Sequence, residues 1–295
     1  MAIIVRQLES STAPGPFNVS AAVRFDGRER RLEFRRHGDH PRFAARTDTL
    51  DPFAVALLLP AMLRGVPLVL EGGVDEILLA ALRGPVQDTL RLLDRSWATV
   101  PVEADARPAP AAAEPALGAA GGMSGGIDSM HLVRHRLLAP AVPGALRLRT
   151  LLHHHVGAHG DEDGVFAEQY ALARRIADRL GLPLVGASCR LGDAYRGMPF
   201  IHCHTIRNVA ATMTLDHLFS HVHYASSEEL GRPPRRTRFS GISALDPLLL
   251  PLFDTPRVAW RSFGGGATRL QKTAEVIADD RLCGELCVCI PGFRS

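Results

Sequence analysis

Gly122-Met123-Ser124-Gly125-Gly126-Ile127-Asp128-Ser129 decides the reading of this chain. An apolar run over 117–123 precedes it and reads as a strand. A helical pattern over 129–138 follows it. Two adjacent glycines permit a tight turn and positive φ. Free backbone N–H groups and the dipole of the following helix favour an anion there, a phosphate above all. A plain glycine turn with Asp128 or Ser129 as helix cap is the competing reading.

Strand and helix patterns alternate outward from this loop. Strands are expected over 146–155, 182–187, 221–226 and 257–261. Helices are expected over 164–180, 203–219 and 267–278, with Gly181 closing the first of these. Repeats of this length imply an α/β fold with a doubly wound parallel sheet covered by helices on both faces. Ligands of such sheets bind at the carboxyl ends of the strands. On the N-terminal side, residues 1–102 read as a small α+β unit. It contains strands over 17–25 and 31–34 around Asp26-Gly27, a helix over 51–63, a short strand over 68–70 and helical spacing over 75–93. Residues 103–116, rich in alanine and proline, read as a semi-rigid spacer, with the second domain over 117–295.

Composition narrows the function classes. The 295 residues are 46% hydrophobic and 22% charged, as in a soluble globular protein. A formal charge of +3 does not support nucleic acid or an anionic membrane as partner. The most apolar stretch, 53–70, is broken by Pro60, Arg64 and Pro67 and is too short to span a bilayer. The start of the chain lacks a signal-peptide pattern, and five cysteines without secretory context imply reduced thiols, so a cytoplasmic protein is expected. Lys272 is the sole lysine among 34 basic residues. Gln271 precedes it, which rules out a Walker A site. Arginine serves everywhere else, so a compact ammonium at 272 points to a specific anion. A solvated helix-surface cation is the alternative.

The string S-G-G-x-D-S after an apolar strand resembles the pyrophosphate loop of the PP-loop ATP pyrophosphatases. That superfamily includes asparagine, GMP and NAD synthetases, tRNA thiouridylases and cyano-deazaguanine synthase. Ser124, Gly125, Gly126, Asp128 and Ser129 match every defined position, and the resemblance covers about residues 117–290. It implies binding of ATP with Mg²⁺ and attack of a substrate oxygen on the α-phosphorus. Pyrophosphate leaves, and a nitrogen or sulfur nucleophile then displaces AMP. It further implies that Ser124, Gly125, Gly126 and Ser129 cradle the pyrophosphate and that Asp128 sits beside the metal–phosphate site. Lys272 in Lys272-Thr273-Ala274-Glu275-Val276 looks like the phosphate lysine of the GMP and NAD synthetases. Arg269 shares its helix face, and Gly264–Gly266 lie just before it.

Other candidates follow from position. His153 and His155, at the end of the second strand, share one side and are candidates for adenosine contact, or are packed core histidines. Cys203, beside His202 and His204 at a helix start, is a candidate catalytic thiol with a lowered pKa, or is buried and inert. Arg207 and Asn208 are candidates for substrate or phosphate, and Ser227, after the fourth strand, for ribose or substrate. His131/His135 and His217/His221 are i,i+4 pairs with metal-ligand spacing but no evident third ligand. Cys283, Cys287 and Cys289 lack a fourth partner, so a closed Zn²⁺ site is not expected. The reading favours adenylation followed by nitrogen attack on a small molecule or peptide. The alternatives are sulfur transfer, or a nucleotide-binding subunit that uses residues 1–102 to dock a partner. An ammonia or sulfur donor protein and a second copy of the chain in a homo-oligomer remain open as partners.

Overall fold

The computed structural model describes residues 1–7, 18–38, 49–108, 118–158, 163–230 and 241–287. Ten strands form a single sheet among them: β1 (Ile3–Gln7), β2 (Asn18–Phe25), β3 (Arg28–Gly38), β4 (Leu68–Asp75), β5 (Val102–Arg107), β6 (Ala119–Gly122), β7 (Leu148–Leu152), β8 (Leu184–Ser188), β9 (His221–Ala225) and β10 (Ala259–Phe263). Their order is β10-β9-β6-β7-β8-β3-β2-β1-β4-β5. The β10-to-β8 half is parallel throughout. Pairs β8–β3, β3–β2 and β2–β1 are antiparallel, and β1–β4–β5 is parallel again. No helix among the described residues is long and apolar enough to cross a membrane.

Local chemistry explains most of these elements. Asp26 and Gly27 both hold positive φ, 51° and 75°, which is the I′ geometry that suits the twist of the β2–β3 hairpin. Helix α1 (Asp51–Arg64) ends on Gly65 in the left-handed conformation. The helical stretch expected over 75–93 is two helices, α2 (Glu76–Arg83) and α3 (Pro85–Leu93), because Gly84-Pro85 interrupts it. The segment expected over 129–138 starts as α4 (Ile127–Val133) and continues as a π turn over Arg134–Leu138. Helices α5 (Asp163–Leu180), α6 (His204–Met213), α7 (Asp246–Leu249), α8 (Arg269–Ile277) and α9 (Asp280–Cys283) complete the chain.

Sheet order fixes where a ligand fits. From β6 the chain moves outward through β7 to β8, then crosses back to β9 on the other side of β6. The direction reverses at β6, which opens a crevice beyond its carboxyl end. The Met123–Ser129 loop emerges there. Both faces of this half are buried. Leu152 and Val185 join the core under α1 and α6, while their neighbours Leu151 and Leu184 join the core under α4, α5 and α8. In the N-terminal half, Val5, Val23 and Phe34 face the first core, and Arg6, Arg24, Arg31 and Arg35 alternate with them and are exposed.

The first 102 residues are built into the sheet, because β3 takes the edge of β8. Arg36 donates to the Thr214 carbonyl at 3.2 Å, and Tyr195 donates its hydroxyl to the Ala56 carbonyl at 2.7 Å. Residues 103–107, expected in a spacer, instead extend the sheet as part of β5. Their alternation with outward-pointing charges satisfies an edge strand despite the poor apolar content. Residues 109–116 of the expected spacer lie outside the described residues.

Gly186 lets the two halves join. His37 donates Nε2–H to the His153 carbonyl at 3.0 Å across it, and a Cβ on Gly186 would overlap both groups. Gly186→Ala is therefore expected to lower unfolding stability by about 3 kcal/mol, as overpacked cores do. Gly164→Ala, in open space on α5, is the control, with a change between zero and a gain of about 1 kcal/mol. Urea denaturation of the two variants measures the contrast.

Candidate functional site

Met123 to Ser129 forms a turn held by its own hydroxyls. The Ser129 hydroxyl donates to the Gly126 carbonyl at 2.8 Å. Its proton is thereby committed, so the Ser124 hydroxyl, 3.3 Å away, is the donor of that pair. Ser124 Oγ also accepts from Gly126 N at 3.3 Å. Gly125 has φ +73°, and a Cβ there would press on Leu172 at 3.0 Å and Cys287 at 3.3 Å. Cys287 N donates to the Gly125 carbonyl at 2.9 Å, so the C-terminal segment seats on the loop.

Two cations close on Asp128. Arg269 Nη2 reaches Oδ2 at 2.9 Å, and Lys272 Nζ reaches Oδ1 at 2.9 Å. Lys272 Nζ also donates to the Ser226 carbonyl at 2.6 Å. A capping box between Thr268 and Gln271 fixes the start of α8 and so the directions of Arg269 and Lys272. Arg269 is mostly exposed, whereas Lys272 is 2% exposed, so the sole lysine is not a solvated surface cation.

A cleft of about 420 Å³ opens from this loop past the carboxyl ends of β6, β7 and β9. Its size falls within the roughly 300–1,000 Å³ usual for small-molecule sites. Met123, Leu152, Val156, Phe200 and Val222 give it apolar walls. Besides those of the loop, polar groups from α6 and β9 gather at one part of the lining. Asn208 Nδ2 donates to the Tyr224 hydroxyl at 3.0 Å, and His204 Nδ1 lies 3.3 Å from the same oxygen. Burial pushes the His204 pKa down to about 4 and raises that of the Tyr224 phenol, so both are neutral at pH 7.

Asp246 completes this end. It is fully buried and accepts from the Thr205 hydroxyl at 2.8 Å through Oδ1, while buried Oδ2 has no hydrogen-bond partner among the described residues. Burial pushes its pKa up to about 7, against the Thr205 hydrogen bond that lowers it. Such a carboxyl gives up and takes a proton near neutrality. His154 lines the wall in one tautomer. Its Nδ1 accepts from Ala187 N at 3.0 Å, so Nε2–H donates to Thr212 Oγ1 at 2.8 Å.

The expected residues divide. Ser124, Gly126, Asp128, Ser129, His153, Asn208 and Ser227 line the cleft. Gly125, within the loop, and Arg269 and Lys272, which reach its Asp128, do not line the cleft. His153 donates Nδ1–H to the Met123 carbonyl at 2.7 Å, joining the loop to the end of β7. His155 shares that side, because the chain stays extended past Leu152 and bonds Ala187 through His155 N, but it does not line the cleft. Both rings stack on Phe166, His153 at 5.7 Å and His155 at 4.4 Å. Arg207 is a second correction. Its guanidinium stacks over Tyr195 at 4.2 Å and donates to the Val156 carbonyl at 2.9 Å, buried away from the cleft. Cys203 is a third. The thiol donates weakly to the Pro199 and Phe200 carbonyls, and burial pushes its pKa up to about 11, outweighing the nearby Arg207. The lowered pKa expected for Cys203 is thus reversed.

The histidine pairs also separate. His217 sits in a 3-10 turn and His221 opens β9, so no helix face unites them. His131 and His135 do share a face, and Glu275 of α8 meets both. Cys287 lines the cleft and Cys283 is exposed away from it. Cys289 and the arginines at 232, 235, 236 and 238 lie outside the described residues. Sequence reasoning missed Asp246 because Asp246-Pro247 at a helix start reads as a capping signal. No protein-family model, curated protein or solved structure matches the chain.

Two predictions follow from these burials. Lys272→Ala leaves Asp128 with Arg269 alone and the Ser226 carbonyl without its ammonium donor, and is expected to lower stability by about 1–3 kcal/mol, against under about 0.5 for a solvated lysine; chemical denaturation decides. For Asp246, a raised pKa means that the folded state holds a proton the unfolded state has released. Its carboxyl therefore opposes folding increasingly as pH rises from about 4 to about 7. Asp246→Asn is expected to gain stability over wild type across that window, by about 3–4 kcal/mol at its upper end. Denaturation midpoints of both proteins at pH 4, 5.5 and 7 test the slope.

Proposed function

We propose that the protein adenylates an oxygen of a small acceptor from Mg-ATP, releases pyrophosphate, and lets a nitrogen nucleophile displace AMP. One observation carries the reading: a glycine–hydroxyl loop at the switch point of a parallel sheet, joined through Asp128 to a buried ammonium, lines a cleft of small-ligand size. The residues suit a polyphosphate. Gly126 brings bare backbone to the cleft, Ser124 and Ser129 offer hydroxyls, and Lys272 holds positive charge against Asp128.

In this reading Ser124, Gly125, Gly126 and Ser129 bind the pyrophosphate part of ATP. Mg²⁺ carried with the nucleotide offsets phosphate charge, and Asp128 is the loop carboxylate on its side. The acceptor oxygen bonds to the α-phosphorus as the bond to pyrophosphate breaks. Nitrogen then attacks the adenylated carbon, and the carbon–oxygen bond to AMP breaks. Asp246, whose pKa burial raises to about 7, takes the proton that nitrogen sheds. Asn208 and Tyr224 orient the acceptor beside it. The second reading, sulfur transfer, draws on Cys287, whose backbone is tied to Gly125 and whose side chain faces the cleft.

The test is AMP and pyrophosphate release from Mg-ATP against a panel of small carboxylates, nucleobases and peptides. Release with one acceptor, reduced about 10²–10³-fold by Ser129→Ala and by Asp128→Asn, is the expected result. Release abolished by Cys287→Ser but supported by a sulfur donor favours the second reading. ATP binding with no release under any acceptor overturns both.

A further inference from the structure

His131, His135 and Glu275 bring three metal-ligating atoms within 4.8 Å of one another. His131 Nε2 lies 3.3 Å from Glu275 Oε2, and His135 Nε2 lies 2.6 Å from the same oxygen. All three residues are absent from the cleft lining, so the cluster is separate from the site described above. We infer that these three side chains form a binding site for a Zn²⁺-class divalent transition metal that staples the α4–π segment to α8.

Geometry favours this over a simple imidazole–carboxylate pair. Ligands about 2.0–2.1 Å from a tetrahedral ion sit roughly 3.3–3.4 Å apart. The His131–Glu275 separation already matches that edge. The His135–Glu275 contact opens by about 0.7 Å to match it, and Glu275, 38% exposed, has room to move. Two unusual backbone features bring the imidazoles together. Residues 134–138 form a π turn, a rare conformation that favours functional positions, and His135 lies in it. Gly264 has φ +87°, and a Cβ there would stand 3.2 Å from His131 Nδ1. Phe263 closes the apolar side, with ring centroids 5.7 and 5.9 Å from the two imidazoles.

Two imidazoles and one carboxylate suit Zn²⁺ and its transition-metal neighbours, whereas Mg²⁺ takes oxygen ligands and keeps its waters. Three protein ligands leave one coordination position open, and His135 and Glu275 are both over a third exposed, so the ion exchanges with solvent. The cluster lies one helical turn from the ion pair on both helices: Asp128 to His131 on α4, and Lys272 to Glu275 on α8. A metal here therefore fixes the spacing on which the Lys272–Asp128 contact depends.

The test uses the full chain stripped with chelator and titrated with Zn²⁺ against a chromophoric competitor. Wild type, His135→Ala, Glu275→Gln and a Cys283→Ser/Cys287→Ser/Cys289→Ser variant are compared, and circular dichroism confirms that each is folded. His135→Ala and Glu275→Gln are each expected to lose one Zn²⁺ equivalent that the cysteine variant keeps. Zn²⁺ should raise Tm in wild type and in the cysteine variant, Mg²⁺ should not, and the rise should vanish in His135→Ala. Co²⁺ in the cysteine variant should give the d–d bands of a low-coordinate nitrogen–oxygen site. No Zn²⁺ bound by wild type, or Zn²⁺ lost with the cysteines and retained in His135→Ala, overturns the assignment.

Discussion

The Lys272 ammonium is the constraint around which the candidate site is arranged. Taking a lysine out of water costs several kcal/mol unless its donors are met. Here Asp128 and the Ser226 carbonyl meet them, one from the start of α4 and one from the end of β9. Three separate elements must therefore arrive at one point before the charge is tolerable. The capping box on α8 and the Cys287–Gly125 bond hold two of them from outside. Arginine does not replace this lysine easily, because a planar fork with five donors would leave hydrogens unmatched where a compact ammonium fits. That accounts for a lone lysine in a chain that uses arginine at every other basic position.

The N-terminal residues act on the site through the sheet. β3 covers the open edge of β8, and α1 lies against α6, the helix that carries Asn208 and His204 into the cleft. His37 on β3 bonds the carbonyl of His153, whose own ring bonds the loop at Met123. A chain of two hydrogen bonds thus runs from the first unit to the start of the Met123–Ser129 loop. The first unit is a buttress of the site, and its other face, lined by exposed arginines, is turned away from that role.

The parallel half of the fold was legible because its signals are local. Apolar runs, glycine stops such as Gly181 and the loop at 124–129 each act within one turn or strand. The continuity of the sheet was not legible. Nothing in residues 28–38 announces that β3 will pair with β8 some 150 residues on, and such pairings depend on tertiary context. For the same reason Val102–Arg107 looked like a spacer. The site divides along similar lines. Loop residues and Asn208 were found from their position after strands. Arg207 and Cys203 were drawn in by adjacency, but a helix sends neighbouring side chains about 100° apart, so Asn208 faces the cleft and Arg207 turns into the core. Glu275 could not be linked to His131 and His135 from sequence, since 140 residues separate it from His135.

Charge is spread unevenly over the cleft lining. The loop contributes hydroxyls and Asp128, which pairs with Arg269 and Lys272, whereas His204 and Tyr224 are neutral at pH 7. Between them the walls are mainly apolar, where charges interact more strongly than in water. Asp246 carries a cost of its own: Oδ2 is buried without a partner among the described residues, and burial raises the carboxyl pKa to about 7. Replacing that carboxyl with an amide removes the titration but keeps the shape. Stability gained with affinity lost would mark Asp246 as a group held in a costly state for ligand, and stability gained with affinity unchanged would reduce it to a buried acid.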